Sequence, residues 1–147
     1  MSLQVPEEIL KRIHLHGEQA YPEEGAGLLL GEIEDGNTRV KEILPLVNAR
    51  ESAARHNRYQ LTPQDYLQGE ELAESLGFSV LGVFHSHPDH PNRPSEFDRQ
   101  WAWPNFSYLI TSVTQGIASG SRSWRLQEDR TEFNEEQIAV VTQVSSQ

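Results

Sequence analysis

Residues 84–98 read Phe-His-Ser-His-Pro-Asp-His-Pro-Asn-Arg-Pro-Ser-Glu-Phe-Asp. Within that stretch His85, His87 and Asp98 are residue types that ligate borderline metal ions without sulfur. The chain has no cysteine, which excludes thiol nucleophiles, disulfides and thiolate zinc sites together. Two imidazoles and one carboxylate leave a tetrahedral zinc ion one open position, the arrangement of a catalytic centre rather than a closed structural one. The same donors suit ferrous iron in an oxygenase, as a facial triad with open positions. Hydrolysis needs a base as well: water on zinc ionises with a pKa of about 7, and an unligated carboxylate can take its proton and return it to a leaving amine. Glu23 and Glu24, just ahead of an apolar run, are the candidates, and a base at that position favours hydrolysis over redox chemistry.

For the two histidines to act together they must lie on a strand, where residues i and i+2 project from one face at a rise of ~3.3 Å per residue. Phe78 to Phe84 is a nearly continuous apolar run, as expected of a strand covered on both faces, and it feeds into His85. His14 and His16 have the same spacing, but they fall in a helical pattern where i and i+2 point apart, so they read as surface-helix residues. Pro94 to Asp98 places Ser95 as an N-cap with an acidic residue three positions later, starting a short helix that swings Asp98 back toward the strand end. That capping role is by itself sufficient reason for a serine there. His90 is the rival third ligand, but Pro88 and Pro91 stiffen its segment and aim it toward the rim.

Elsewhere the pattern is α/β. An amphipathic helix is expected from Pro6 to Ala20, with Val5, Ile9, Ile13 and Ala20 on its apolar side, ended by Tyr21-Pro22. Ala26 to Leu30 reads as a buried strand and Thr38 to Val47 as its hairpin partner across Asp35-Gly36-Asn37. Asn48 to Asn57 is polar and unpatterned, a surface loop, followed by a short strand candidate at Tyr59-Gln60-Leu61. Thr62 caps a second helix with Pro63 in its first turn and Leu72, Ala73 and Leu76 as its stripe, ended by Gly77. Phe106 to Val113 and Ile117 to Leu126 give two more strands, for at least five in the sheet. Phe133 to Val144 fits either a strand or a helix.

The 147 residues suit a single domain spanning 1–147. A formal charge of −10, from 22 acidic and 12 basic residues, disfavours nucleic acid. No window approaches the roughly 18 apolar residues of a membrane span, and the first residues lack a signal-peptide pattern, so cytoplasm is the expected location.

Glu24-Gly25-Ala26-Gly27 with Leu28-Leu29-Leu30-Gly31, then His85-Ser86-His87-Pro88 and Pro94-Ser95-Glu96-Phe97-Asp98, resembles the JAMM (MPN-plus) zinc metalloprotease family. The resemblance extends to the strand Phe106 to Ile110 and covers most of the chain. It implies a mixed, largely antiparallel central sheet flanked by helices, the cytidine-deaminase-like α/β/α arrangement. It further implies zinc on His85, His87 and Asp98, with Glu24 as general base and Ser95 beside the reacting carbonyl. Many relatives have cysteine where this chain has Ala26, a small residue read as remote from the chemistry. Lacking the insertions of eukaryotic deubiquitinating relatives, the chain resembles the compact prokaryotic branch. That likeness implies a substrate with a Gly-Gly tail, a ubiquitin-like or sulfur-carrier protein. The tail would be paired to an exposed strand edge near His87. The alternative within the family is a non-catalytic MPN-type protein-binding module.

Overall fold

Strand β1 (Ser2–Pro6) runs straight into helix α1 (Glu7–Ala20), and β2 (Ala26–Glu34) and β3 (Asn37–Leu46) form a hairpin. Helix α2 (Pro63–Leu76) precedes β4 (Ser79–Pro88), and the one-and-a-half-turn helix α3 (Glu96–Trp101) precedes β5 (Ser107–Thr114), β6 (Ile117–Leu126) and β7 (Phe133–Val141). The computed structural model describes residues 2–46 and 61–142. The expected loop Asn48–Asn57 and the Tyr59-Gln60 part of the strand candidate lie outside the described residues; Leu61 precedes α2 without strand pairing.

The strands pair in the order β1-β3-β2-β4-β5-β6-β7 and the sheet closes on itself. This corrects the expected open sheet flanked by helices. The element that closes it is β1, which pairs parallel with both β3 and β7. Leu3 and Val5 fit a two-residue alternation, but Val5 and Ile9 also fit a helical spacing, so Val5 and Pro6 read with the helix that follows and too few residues remain ahead of them to show a strand. The C-terminal ambiguity resolves as strand: β7 pairs antiparallel with β6 and parallel with β1. A buried polar network seals this seam. Glu136 of β7 accepts from the Ser107 and Ser123 hydroxyls at 2.9 Å each and from Arg125 Nε at 2.7 Å, and Arg125 donates onward to Thr38 of β3.

Helix α1 fills the concave side, where Ile9 and Ile13 pack with Leu3, Val5, Leu29 and Phe84. The convex side carries Ala26, Leu28, Leu30 and Val83 under α2, with Ala73 and Tyr66 against them. Strands β2 and β4 are thus apolar on both faces, which is why their sequences run without alternation. Helix α2 is bounded as expected, by a reciprocal Thr62–Asp65 capping box and by Gly77 at φ 79°.

One irregularity in β4 matters for the site. The β2–β4 register slips between Leu29 and Leu30, leaving Leu81 as an extra residue between Val80 and Gly82. Val80 and Val83 therefore both face the convex side, whereas Leu81 and Phe84 face α1. From Phe84 onward the pleat sends His85 and His87 outward and Ser86 inward.

Candidate metal centre and cleft

The bulged strand brings both imidazoles to the convex face at its C-terminal end, with ring centroids 5.0 Å apart. Helix α3 brings Asp98 to them. Its N-cap Ser95 accepts from the Asp98 backbone N–H at 3.1 Å, while Asp98 Oδ2 accepts from the Ser95 N–H at 2.7 Å. The capping box that starts the helix thus also fixes the carboxylate. Asp98 lies 3.7 Å from His85 Nε2 through one oxygen and 3.3 Å from His87 Nε2 through the other. Ligand atoms of the three residues all fall within 4.8 Å of one another, and all three residues are buried. Metal bonds of ~2.0–2.1 Å imply a donor–donor edge of ~3.3–3.4 Å in a tetrahedron, so these separations fit a shared ion.

Protonation states suit the same role. Burial pushes the His85 imidazole down to about 4 against the opposing pull of Asp98, leaving a neutral ring at pH 7. Burial also pulls on His87, but the Asp98 hydrogen bond and charge, the Pro91 carbonyl and nearby Glu24 outweigh it and raise its pKa. Burial works against Asp98 ionising, yet His85, His87 and the Ser95 N–H bring its carboxyl down to about 2. His87 Nδ1 donates to the Pro91 carbonyl at 2.8 Å, which aims Nε2 at Asp98 and fixes that tautomer in the neutral ring.

Glu24 is 7% exposed and lines a cleft of 340 Å³ with His87, His90, Arg93 and Ser95. Glu23, one residue earlier, is half-buried and does not line this cleft. The turn carrying Glu24 is held on both sides. Ahead of it, the Tyr21 hydroxyl donates to Asp89 Oδ2 at 2.6 Å. Behind it, the Gly25 N–H donates to Ser86 Oγ at 2.8 Å and the Gly25 carbonyl accepts from the Ser86 N–H at 3.0 Å. Ser95 is exposed at the cleft wall, and its oxygen serves the N-cap. His90 is exposed on the rim, outside the ligand group.

Some neighbours were missed in the sequence. Ser86, Pro91 and the Tyr21–Asp89 pair position site residues through contacts that have no local pattern. Ala26 is not remote: it is the cross-strand partner of His85. Nor are His14 and His16 solvated surface residues. His14 Nε2 lies 2.9 Å from Ser121 Oγ, and His16 meets Phe84 edge-on at 5.5 Å. At His87, β4 pairs with Ser112 of β5 on one side, while on the other β2 pairs with β4 only as far as His85.

The curled sheet with this donor group at the end of β4 defines a class. A JAB1/MPN domain protein from Archaeoglobus fulgidus shares the fold at TM-score 0.56 and 20% identity, over 95% of this chain and 99% of that one. A solution structure from Salinibacter ruber is 43% identical with TM-score 0.75, covering 94% and 91% of the two chains. Another from Desulfitobacterium hafniense reaches TM-score 0.84 at 28% identity, covering 97% and 94%. The family model for prokaryotic homologs of the JAB domain matches residues 6–127, and the chain belongs to that family.

Among curated relatives, the desampylase of Haloferax volcanii is 37% identical over 92 residues, 62% of this chain and 63% of that protein. The probable TtuB-protein conjugate cleaving protease of Thermus thermophilus is 32% identical over 115 residues, 78% and 72% of the two chains. Tail tip assembly protein K of Escherichia phage N15 is 30% identical over 87 residues, 59% of this chain and 31% of that protein.

Proposed function

We propose that this protein is a zinc-dependent metallopeptidase, one JAB-type domain spanning 1–147. Its reaction is hydrolysis of a peptide or isopeptide bond at the C-terminal tail of a ubiquitin-like or sulfur-carrier protein. The observation that carries this reading is the convergence of a buried His85–His87–Asp98 group with Glu24 and Ser95 around one cleft. The names of two relatives, a desampylase and a probable conjugate-cleaving protease, support the substrate class. No helix among the described residues is long and apolar enough to cross a membrane, and we assign the protein to the cytoplasm. Nucleic acid remains a poor partner for a chain of charge −10.

Zinc held by His85, His87 and Asp98 would supply Lewis acidity, polarising a carbonyl and acidifying water. The residues of the chain perform the rest. Glu24 takes the proton of the attacking water and delivers it to the departing nitrogen. The Ser95 hydroxyl hydrogen, left available while its oxygen caps α3, is donated to the oxygen that gains charge on the carbonyl. The 340 Å³ cleft holds an extended segment and selects Gly-Gly at the cut by excluding larger side chains.

The test is a panel of small carrier proteins fused through Gly-Gly to a reporter and assayed for release with and without zinc. Zinc-dependent release, reduced by bulky residues flanking the cut, is the expected result. A second reading, the protein-binding module, gains support from the phage tail tip assembly relative. Tight carrier binding with no release from any fusion by the folded, zinc-loaded protein favours that module and overturns the peptidase.

A further inference from the structure

We propose that Ser121 and His14 form a second reactive centre, independent of the metal group, in which the serine hydroxyl is the nucleophile and the imidazole its base. Its substrate class is a small, uncharged carboxylic ester.

The two residues meet where the sheet opens. Ser121 of β6 pairs with Thr111 of β5 on one side, whereas the β6–β7 ladder stops at Ser123–Glu136, two residues short of it. Beside the parting strands lies a cleft of 530 Å³, lined by Ser121 and Arg122 of β6 and by Glu135, Glu136, Gln137 and Ile138 of β7. The half-buried Ser121 is thus within reach of a small molecule. Helix α1 packs behind it on the concave side, and His14 Nε2 lies 2.9 Å from Ser121 Oγ. The His85–His87–Asp98 group belongs to the convex face, so the sheet separates the two centres.

Hydrogen bonding gives the pair a direction. Thr111 is buried, and its hydroxyl oxygen lies 2.6 Å from Ser121 Oγ. With Thr111 donating to Ser121, the serine's own hydrogen goes to Nε2, which accepts it in the neutral ring protonated on Nδ1. Burial lowers the pKa of His14, so the ring is neutral at pH 7. Glu18, one turn further along α1, opposes that shift through its charge, and its carboxylate is fixed by the Ala118 N–H at 2.9 Å. A carboxylate so placed stabilises the imidazolium that forms on proton transfer. Ser119 is the contrast: it is more exposed, and its hydroxyl meets Thr114 Oγ1 and the Ser112 carbonyl at 3.3 Å each rather than an imidazole.

The bond changes balance without a cofactor. The ester carbonyl carbon gains a bond to Ser121 Oγ as the hydroxyl proton passes to His14 Nε2; the carbon–alkoxy bond then breaks, and that proton leaves on the alcohol. Water adds to the acyl carbon while His14 takes one of its protons, the acyl–serine bond breaks, and the proton returns to Ser121. Arg122 is the cation of the cleft, its Nε 3.9 Å from Glu135, and it serves the carbonyl oxygen as that gains charge. Ile138 gives a short acyl chain an apolar wall, and Glu135 and Glu136 repel an anionic one.

The probe is p-nitrophenyl acetate, with acetyl groups located by peptide mass mapping. In the unmodified protein Ser121 should be acetylated about 100-fold faster than Ser119, and nitrophenolate release should continue past one equivalent per chain. His14→Gln keeps a hydrogen-bond acceptor and removes the base, so at temperatures where its melting curve shows it folded the two serines should react at similar rates. Ser121→Ala should abolish turnover. Equal acetylation of Ser121 and Ser119 in the unmodified protein overturns the proposal without recourse to any variant, as does an unchanged preference in folded His14→Gln. One acetyl that stays on Ser121 overturns the esterase assignment. Chelation of zinc should leave the preference intact; its loss on chelation assigns ester cleavage to the metal group and contradicts a second centre. The peptidase reading stands or falls separately, on the carrier fusions.

Discussion

Ser86 lies between two proposed metal ligands yet faces away from them, and its replacement separates metal binding from the positioning of Glu24. In Ser86→Ala the Gly25 N–H loses the acceptor it holds at 2.8 Å, in a segment where both residues are buried. An unsatisfied buried donor costs about 1–3 kcal/mol. For a chain of this size each kcal/mol moves the melting temperature by about 3 °C, so a fall of roughly 3–9 °C is expected. The Ser86 N–H still donates to the Gly25 carbonyl, so β2 and β4 stay paired and the histidines keep their places. Glu24, one residue away, loses one of its tethers, and a misplaced proton acceptor costs about 10-fold or more in turnover. The assays are thermal melts, elemental analysis and steady-state kinetics on a Gly-Gly fusion. A lowered melting temperature, full zinc and a kcat deficit larger than any KM change are predicted. Unaltered melting and turnover would refute the idea that Ser86 holds this turn.

Other consequences are as direct. Zinc stoichiometry should be one per chain, abolished by changes at His85, His87 or Asp98 and retained on changing His14, His16 or His90; elemental analysis of the six variants decides it, and loss in His90→Ala with retention in Asp98→Asn would move the third ligand. Burial lowers the pKa of both His14 and His16, with Glu18 opposing the shift at His14. Their folded-state pKa values thus lie below the unfolded value of about 6.5, so the stability they contribute is present above that pH and is lost as pH falls below it and through the lower folded-state values. Melting at pH 7.5 and 5.5 should show this acid loss, and His16→Gln should shrink it. Glu136→Gln breaks the seam between β6 and β7 and should cost about 2–3 kcal/mol by urea unfolding, less than a fully buried pair because Arg125 is 23% exposed.

What the sequence disclosed and what it hid divide along a physical line. Local rules brought the candidate donors into view: a two-residue period on a strand and a Ser-x-x-Asp cap each act within a few residues, and the structure brings His85, His87 and Asp98 together. The closed sheet was hidden because β1 is five residues long and its closing partners lie at residues 37–46 and 133–141. The tethers of the Glu24 turn were hidden for the same reason, since Tyr21–Asp89 and Gly25–Ser86 bridge 68 and 61 residues. A half-buried histidine such as His14 looks like a surface residue until Ser121, 107 positions away, is seen beside it.

The central claim is that Glu24 moves the proton for a reaction organised by His85, His87 and Asp98. Glu24→Gln keeps the size of the side chain and removes its basicity. Zinc content and turnover of a carrier–lysine conjugate, measured on the same preparation, are the most direct test. Full zinc with turnover reduced ~100-fold or more is predicted, with Glu23→Gln near the unmodified protein. Undiminished turnover in Glu24→Gln would contradict the account.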